Sequence, residues 1–330
     1  MSGPDDRERD VPRDADGDAI DAELGALVAR GLAALGEEAV AEPPADLRAS
    51  VLAAALGGRP PGAPLTGAPA LAEPLAAFRA TVAELRGVLD GLDAATWDVP
   101  TASVHGPVRA LVAHLAGVER VMAAQLGDGT PEADEVDHVA SAARIAAGAA
   151  AEEPAQLVAR WHDAAQRLAE LAEAAGPDAP VLANDIPTDV DGMLVLRTFE
   201  VWAHTEDVCR AAAIPAPPLD ASRLALMSSR LLDVLPLAMA VEGVPRPGRT
   251  ARLVLTGAGG GSYVRALAPE DVLALPGDGA DPDVALVVDV VDLCRLAARR
   301  ARPEDLDLAI EGDEELAGAV LVAVAAFARD

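Results

Sequence analysis

In the stretch "RTFEVWAHTEDVCR", residues 197–210, an apolar pattern with helical spacing is interrupted by Arg197, Glu200, His204 and Asp207. At about 100° of rotation per helical residue these four fall within roughly 80° of one another, on a face they share with Met193, Leu196 and Ala203. Charged groups on an apolar stripe need partners, because an unpaired buried charge is strongly unfavourable. Two kinds of compensation are open. One is an internal network, with Arg197 pairing with Glu200 and Asp207 and His204 hydrogen-bonded. The other is a bound cation.

A second histidine bears on the choice. His114 lies in "VRALVAHLAGVER" (108–120), beside Leu111 and Val118, in a helical pattern whose core stripe runs through Leu111, Leu115, Val118 and Met122. Alone it reads as a core histidine. With Glu200 and His204 it completes two imidazoles and one carboxylate, the ligand set of an open zinc site with a fourth position for water or a substrate atom. A dication there lowers the pKa of a coordinated water or thiol. Asp207, one turn beyond His204, is placed to accept the imidazole's other N–H and set its tautomer.

The remaining reactive side chains read more plainly. Glu119 points some 140° from His114 and is a rim or salt-bridge residue. Cys209 faces away from Glu200, and both cysteines read as small buried hydrophobes. His138 and His162 lie in polar contexts and read as surface residues, whereas His105 sits in the turn leading into the His114 helix. In "AARRARPED" (297–305) arginines gather at a helix end, where cations favour the dipole; contact with a cofactor carboxylate is the second reading.

Helices must position these groups. Four long helical patterns cover about 71–92, 106–126, 138–175 and 190–213, separated by turn-rich "GDGTPEADEVD" (127–137) and "GPDAPVLANDIPTD" (176–189), which predicts a bundle. A fifth helix is predicted over about 220–242. After "GVPRPGRT" (243–250) the period becomes that of strands, in "ARLVLTG", "SYVRALA", "DVALVVDV" and "LDLAIEGD", the last two each followed by a helical run. This is an α+β pattern. "GAGGGS" (257–262) lies between two strand patterns and reads as a hairpin turn rather than a phosphate loop, which would open a helix. Upstream, residues 1–20 are charged and read as a disordered tail. Two short helical patterns over 21–56 and a Gly/Pro-rich linker over 57–69 follow. The expected units are thus 70–218, helical, and 219–330, α+β.

Composition narrows the partners. The chain's 330 residues are 51% hydrophobic, enough for a substantial core, and every one of its 26 basic residues is arginine against 54 acidic ones. A net charge of −28 disfavours nucleic acid, whose binding needs clustered cations. Two cysteines without regular spacing indicate neither a disulfide framework nor a cysteine zinc site. The first 25 residues lack a secretory h-region, and "LAGAVLVAVAAFA" (316–328) is too short to span a bilayer. A soluble cytoplasmic protein with no membrane partner is expected.

"VRALVAHLAG" followed some 80 residues later by "RTFEVWAHTEDV" resembles the mycothiol-dependent maleylpyruvate isomerase family, a branch of the DinB-like four-helix bundles. The resemblance covers about 70–330 and implies a fold of α plus α+β class: a DinB-like bundle followed by a small domain like the sterol carrier proteins. It implies a metal-binding enzyme, with a divalent ion such as Zn2+ on His114, Glu200 and His204. It also implies mycothiol as thiol cosubstrate and a small electrophilic molecule as substrate, isomerised or joined to the thiol. Asp207 would stand behind His204, and Arg197 would pair with Asp207 or reach an anionic substrate. The chain departs from the family before the first motif, where "SVHGPV" places His105 in a turn that usually carries an aromatic residue; this puts substrate preference outside what the resemblance implies. "PPADLRASVLAAA" (43–55) resembles a segment of actinobacterial anti-sigma factors without the zinc ligands of that module. It raises an alternative, a regulatory protein that binds a sigma factor through residues 21–56.

Overall fold

The computed structural model of the chain describes residues 70–127, 152–183, 186–274 and 282–327. The expectations for residues 1–69, for most of the 127–137 turn and for the start of the third helix with His138 lie outside the described residues.

Four helices build the bundle. Helix α1 (Pro74–Asp90) starts where Pro74 presets the first turn and the Glu73 carboxylate accepts from the backbone N–H of Ala76 at 2.7 Å. It buries Phe78, Val82, Leu85 and Leu89 at helical spacing. Helix α2 (Val108–Gln125) buries Leu111, Leu115, Val118 and Met122, the predicted stripe. Helix α3 (Pro154–Ala175) contributes Leu157, Trp161 and Leu168. Helix α4 (Val190–Ala211) is capped by Asp189, whose side chain accepts from Gly192 N–H at 2.7 Å. The helices pack in a ring in which α4 lies between α1 and α2, and α3 closes the other side.

Helix α4 is buried on nearly every side because it serves two cores. Val190, Met193, Leu194, Val201 and Val208 enter the bundle core, while Phe199, Trp202 and Ala203 enter the core of the following α+β region. That explains why polar residues share a helix with apolar ones all round it.

Two expectations about elements are corrected. The 176–189 stretch, read as turns, contains a short antiparallel hairpin of β1 (Pro180–Ala183) and β2 (Ile186–Asp189). The helix expected over 220–242 is two, α5 (Ala221–Asp233) and α6 (Leu235–Val241), bent by 47°. Pro236 has no N–H to give to the preceding turn and its ring crowds the carbonyl four residues back, so the helix breaks at Val234.

The α+β region bears out the predicted strands. Strands β3 (Thr250–Thr256), β4 (Gly261–Ala266), β5 (Val284–Asp289) and β6 (Ala309–Gly312) form a sheet in the order β4-β3-β5-β6. Strands β3 and β5 run parallel, and both outer pairs are antiparallel. Helix α7 (Val290–Ala297) follows β5, and α8 (Glu314–Ala325) follows β6, both buried against the sheet. "GAGGGS" is a hairpin turn, as predicted. Gly259 adopts φ +86°, and a Cβ there would lie 2.3 Å from the carbonyl oxygen of Ala221, so only glycine fits. Among the described residues no single helix is long and apolar enough to cross a membrane.

Candidate metal centre

Three imidazoles converge where α2, α4 and the loop before α2 meet. The rings of His105 and His114 stack with centroids 3.6 Å apart, and that of His204 stands edge-on to both, at 5.4 and 5.8 Å. One ligand atom from each ring lies within 4.8 Å of the other two. Glu200 joins them: its Oε1 is 3.2 Å from His114 Nε2 and 4.0 Å from His204 Nε2. Thus His114, Glu200 and His204, placed on one face each by the helical period, are brought together across two helices. His105, singled out only as the turn before α2, is a fourth member.

The loop that carries His105 is held by its backbone. Pro100 and Pro107 bridge, Thr101 N–H donates to the Gly106 carbonyl at 2.8 Å, and Val108 N–H donates to Val99 at 3.1 Å. Gly106 sits at φ +89°, a conformation that favours glycine and turns the chain between His105 and the start of α2.

His204 is 1% exposed, and its Nδ1 lies 3.1 Å from Asp207 Oδ2, as expected of the residue one turn on. Arg300 Nη2 lies 3.3 Å from the same nitrogen; in the tautomer in which Nδ1 donates to Asp207, Nε2 carries the lone pair. That Nε2 is buried and has no hydrogen-bond partner. A buried acceptor left in this state is costly in a core and well suited to a cation. By the chemistry of its donors, two or three imidazoles and a carboxylate, the cluster fits a borderline divalent metal.

Two arginines shape the surroundings. Arg197 does not pair with Asp207. It lies 3% exposed, with its Nε and Nη2 on the two oxygens of Glu119 at 3.1 and 2.9 Å and its Nη1 on Glu200 Oε2. Glu119 is therefore a salt-bridge residue, but wholly buried rather than on the rim. Burial pushes the Glu119 carboxyl up despite the Arg197 charge, whereas for Glu200 burial is outweighed by Arg197 and by the His114 hydrogen bond, which hold it well below the usual carboxylate range.

Asp207 is paired instead with Arg300, whose Nη2 donates to Oδ2 at 2.6 Å. Burial opposes ionisation of Asp207, but the hydrogen bonds from His204 and Arg300 prevail and keep its pKa low. The helix-dipole reading of the 297–305 arginines is thus corrected for Arg300, which comes from the α+β region to the back of the histidine cluster. Its position follows from the end of α7. Arg299 takes a left-handed conformation at φ +56°, Arg299 N–H donates to Leu296 and Arg300 N–H to Arg295, so the helix closes in a Schellman turn that aims Arg300 back at α4. A neighbouring pair, Arg295 with Glu206 at 2.8 Å, ties the same two elements.

The cysteines stay out of this chemistry, as expected. Both are buried, and burial pushes the Cys294 thiol up to about 12. His162, expected at the surface, is half-buried and contacts Gln166.

A bundle with a histidine–carboxylate cluster on its central helix, backed by an α+β region, defines the class of protein. Residues 78–209 match the family described as the mycothiol maleylpyruvate isomerase N-terminal domain. Two solved structures are similar. A histidine-to-alanine mutant of the mycothiol-dependent maleylpyruvate isomerase aligns with a TM-score of 0.51 at 16% identity, covering 72% of this chain and 92% of that one. The mycothiol-dependent maleylpyruvate isomerase itself gives 0.48 at 18%, with the same coverage. At such identity the likeness of the first is one of fold. No curated protein matches the chain in sequence.

Proposed function

We propose that this chain is a metal- and mycothiol-dependent isomerase or thiol transferase acting on a small electrophilic acid, with His114, Glu200 and His204 holding the metal. The observation that carries the reading is the Nε2 of His204, buried, oriented by Asp207 through the opposite ring nitrogen, and without a protein partner beside Glu200 and His114. The family and the fold of the neighbouring isomerase support the thiol dependence. Bound together, ion and thiol would supply a thiolate at neutral pH, able to add to an unsaturated carbon and leave again after rotation about the resulting single bond.

The chain's own residues prepare that chemistry. Asp207 keeps the Nδ1 proton of His204, so the nitrogen at the cluster stays a lone-pair donor. Arg300 holds Asp207 ionised in that role. Arg197, fixed by Glu119, ties down one oxygen of Glu200 and leaves the other beside His114. The cluster is reachable: the side chains of His114 and Glu200 are 14% and 26% exposed, whereas those of His204 and Asp207 are closed off. Arg197 is occupied by two carboxylates, which argues against the substrate-contact role considered for it.

The test is turnover of a cis-unsaturated keto acid such as maleylpyruvate, with and without mycothiol and with and without metal. A rate that requires both is expected. Thiol-independent turnover, or none with a range of electrophiles, would contradict the reading. The regulatory alternative rests on residues 21–56, outside the described residues, and the comparisons lend it no support.

A further inference from the structure

We propose that His105 is a fourth ligand, so that this chain's site is a three-imidazole, one-carboxylate set. The proposal rests on the reading of His114, Glu200 and His204 as a metal site and goes beyond the two-histidine, one-carboxylate set carried over above.

The geometry that points to it is the convergence of three rings. His105 lies flat against His114, 17° from parallel, and faces the edge of His204. A zinc-like ion binds imidazole nitrogen at about 2.0–2.1 Å, so donor atoms on one tetrahedral ion sit roughly 3.4 Å apart. The three imidazole donors already lie within 4.8 Å of one another; because an ion sits in the plane of each imidazole that binds it, the His105 ring must also tilt out of its stack on His114 to share one. That is within reach of a side-chain rotation on a loop. The loop itself is fixed by the Thr101–Gly106 hydrogen bond and the Pro100–Pro107 bridge, so the ring is presented to α2 rather than left to wander.

The consequence is chemical. Four protein ligands close a tetrahedral ion and leave no position for a thiol, whereas an ion that takes five or six ligands keeps one or two positions open. With His105 as a ligand, room for a thiol therefore requires an ion that expands beyond four ligands.

The experiment loads metal-stripped full-length protein with Co2+ alone and compares wild type, His105→Phe, which keeps a ring without a donor, and His204→Ala. Cobalt K-edge absorption counts imidazoles, d–d bands report coordination number, and titration gives affinity. Expected are three imidazoles and the weak bands of a five- or six-coordinate ion in wild type. His105→Phe should show two imidazoles, stronger tetrahedral bands and an affinity lower by about tenfold or more, since loss of even an outer-shell partner costs about 10–100-fold. Two imidazoles in both proteins, with equal affinity, would overturn the role of His105 and leave the His114–Glu200–His204 site standing, provided His204→Ala loses the ion. If wild type binds cobalt no better than His204→Ala, the metal reading falls and His105 with it.

Discussion

The two ends of the polar face of α4 resolve buried charge in opposite ways. Toward the N-terminus, Arg197 is enclosed by Glu119 and Glu200, and its Nε, Nη1 and Nη2 each meet a carboxylate oxygen. Two turns later, His204 has Asp207 and Arg300 behind it and a bare nitrogen in front. Both are polar clusters in an apolar setting, and composition alone does not tell them apart. The first is closed by its own charges and reads as structure; the second has donor capacity that no protein group uses, and reads as a site. Surplus of one kind of hydrogen-bonding capacity, rather than burial or charge, is the distinguishing mark.

That contrast can be broken at its closed end first. Glu119→Leu leaves the Arg197 guanidinium buried with only Glu200, and the loss of one partner from a buried pair is expected to cost about 3–5 kcal/mol, read as a shift in the urea or thermal midpoint. Replacing both, Glu119→Leu with Arg197→Met, should recover most of that loss, since well-packed apolar pairs often substitute for buried ion pairs at little cost. If the single variant were neutral, the Arg197–Glu119 pair would not be the structural anchor argued above.

At the open end the effects are smaller and of another kind. Asp207→Asn keeps the shape but no longer holds the Nδ1 proton of His204 as a carboxylate does, and metal affinity should fall about 10–100-fold with the fold intact. A loss of folding without prior loss of metal binding would place Asp207 among the structural charges instead.

The same carboxylate sets an acid limb. The Asp207 pKa is lowered in the folded chain by His204 and Arg300 against the effect of burial. A carboxylate depressed on folding contributes stability that is present above its unfolded value, near 3.8, and is lost as pH falls through the folded value. Stability of the metal-free protein should therefore decline below about pH 4 more steeply in wild type than in Asp207→Asn, as followed by circular dichroism. Parallel acid limbs would remove Asp207 from that account.

The smallest effect tests the ends of helices rather than their polar faces. Ala213 holds a left-handed conformation at φ +54°, closing α4 with Ile214 N–H on Cys209. Ala213→Gly should raise stability by up to about 1 kcal/mol, because a Cβ is disfavoured there.

The sequence carried much of this. Periodicity of 3.6 placed the four bundle helices and put Glu200, His204 and Asp207 on one face, and the change to strand patterning located β3 to β6. What it missed has a common cause. Arg300, the Glu119 partner of Arg197 and the entry of His105 into the cluster depend on contacts between elements far apart in the chain, which helical rotation cannot report. The break between α5 and α6 had a local signal, Pro236, which apolar periodicity on both sides obscured. The β1–β2 hairpin was hidden because its strands are four residues long, contain prolines at 180 and 187, and lie in a stretch rich in turn formers.

The central claim is that the bare nitrogen of His204 is there for a cation. Metal analysis of purified wild-type protein beside His204→Ala tests it most directly. One equivalent of a divalent transition metal in wild type and none in the folded variant is the predicted result. Wild-type protein prepared without chelator that carries no metal and takes none up on titration would contradict it.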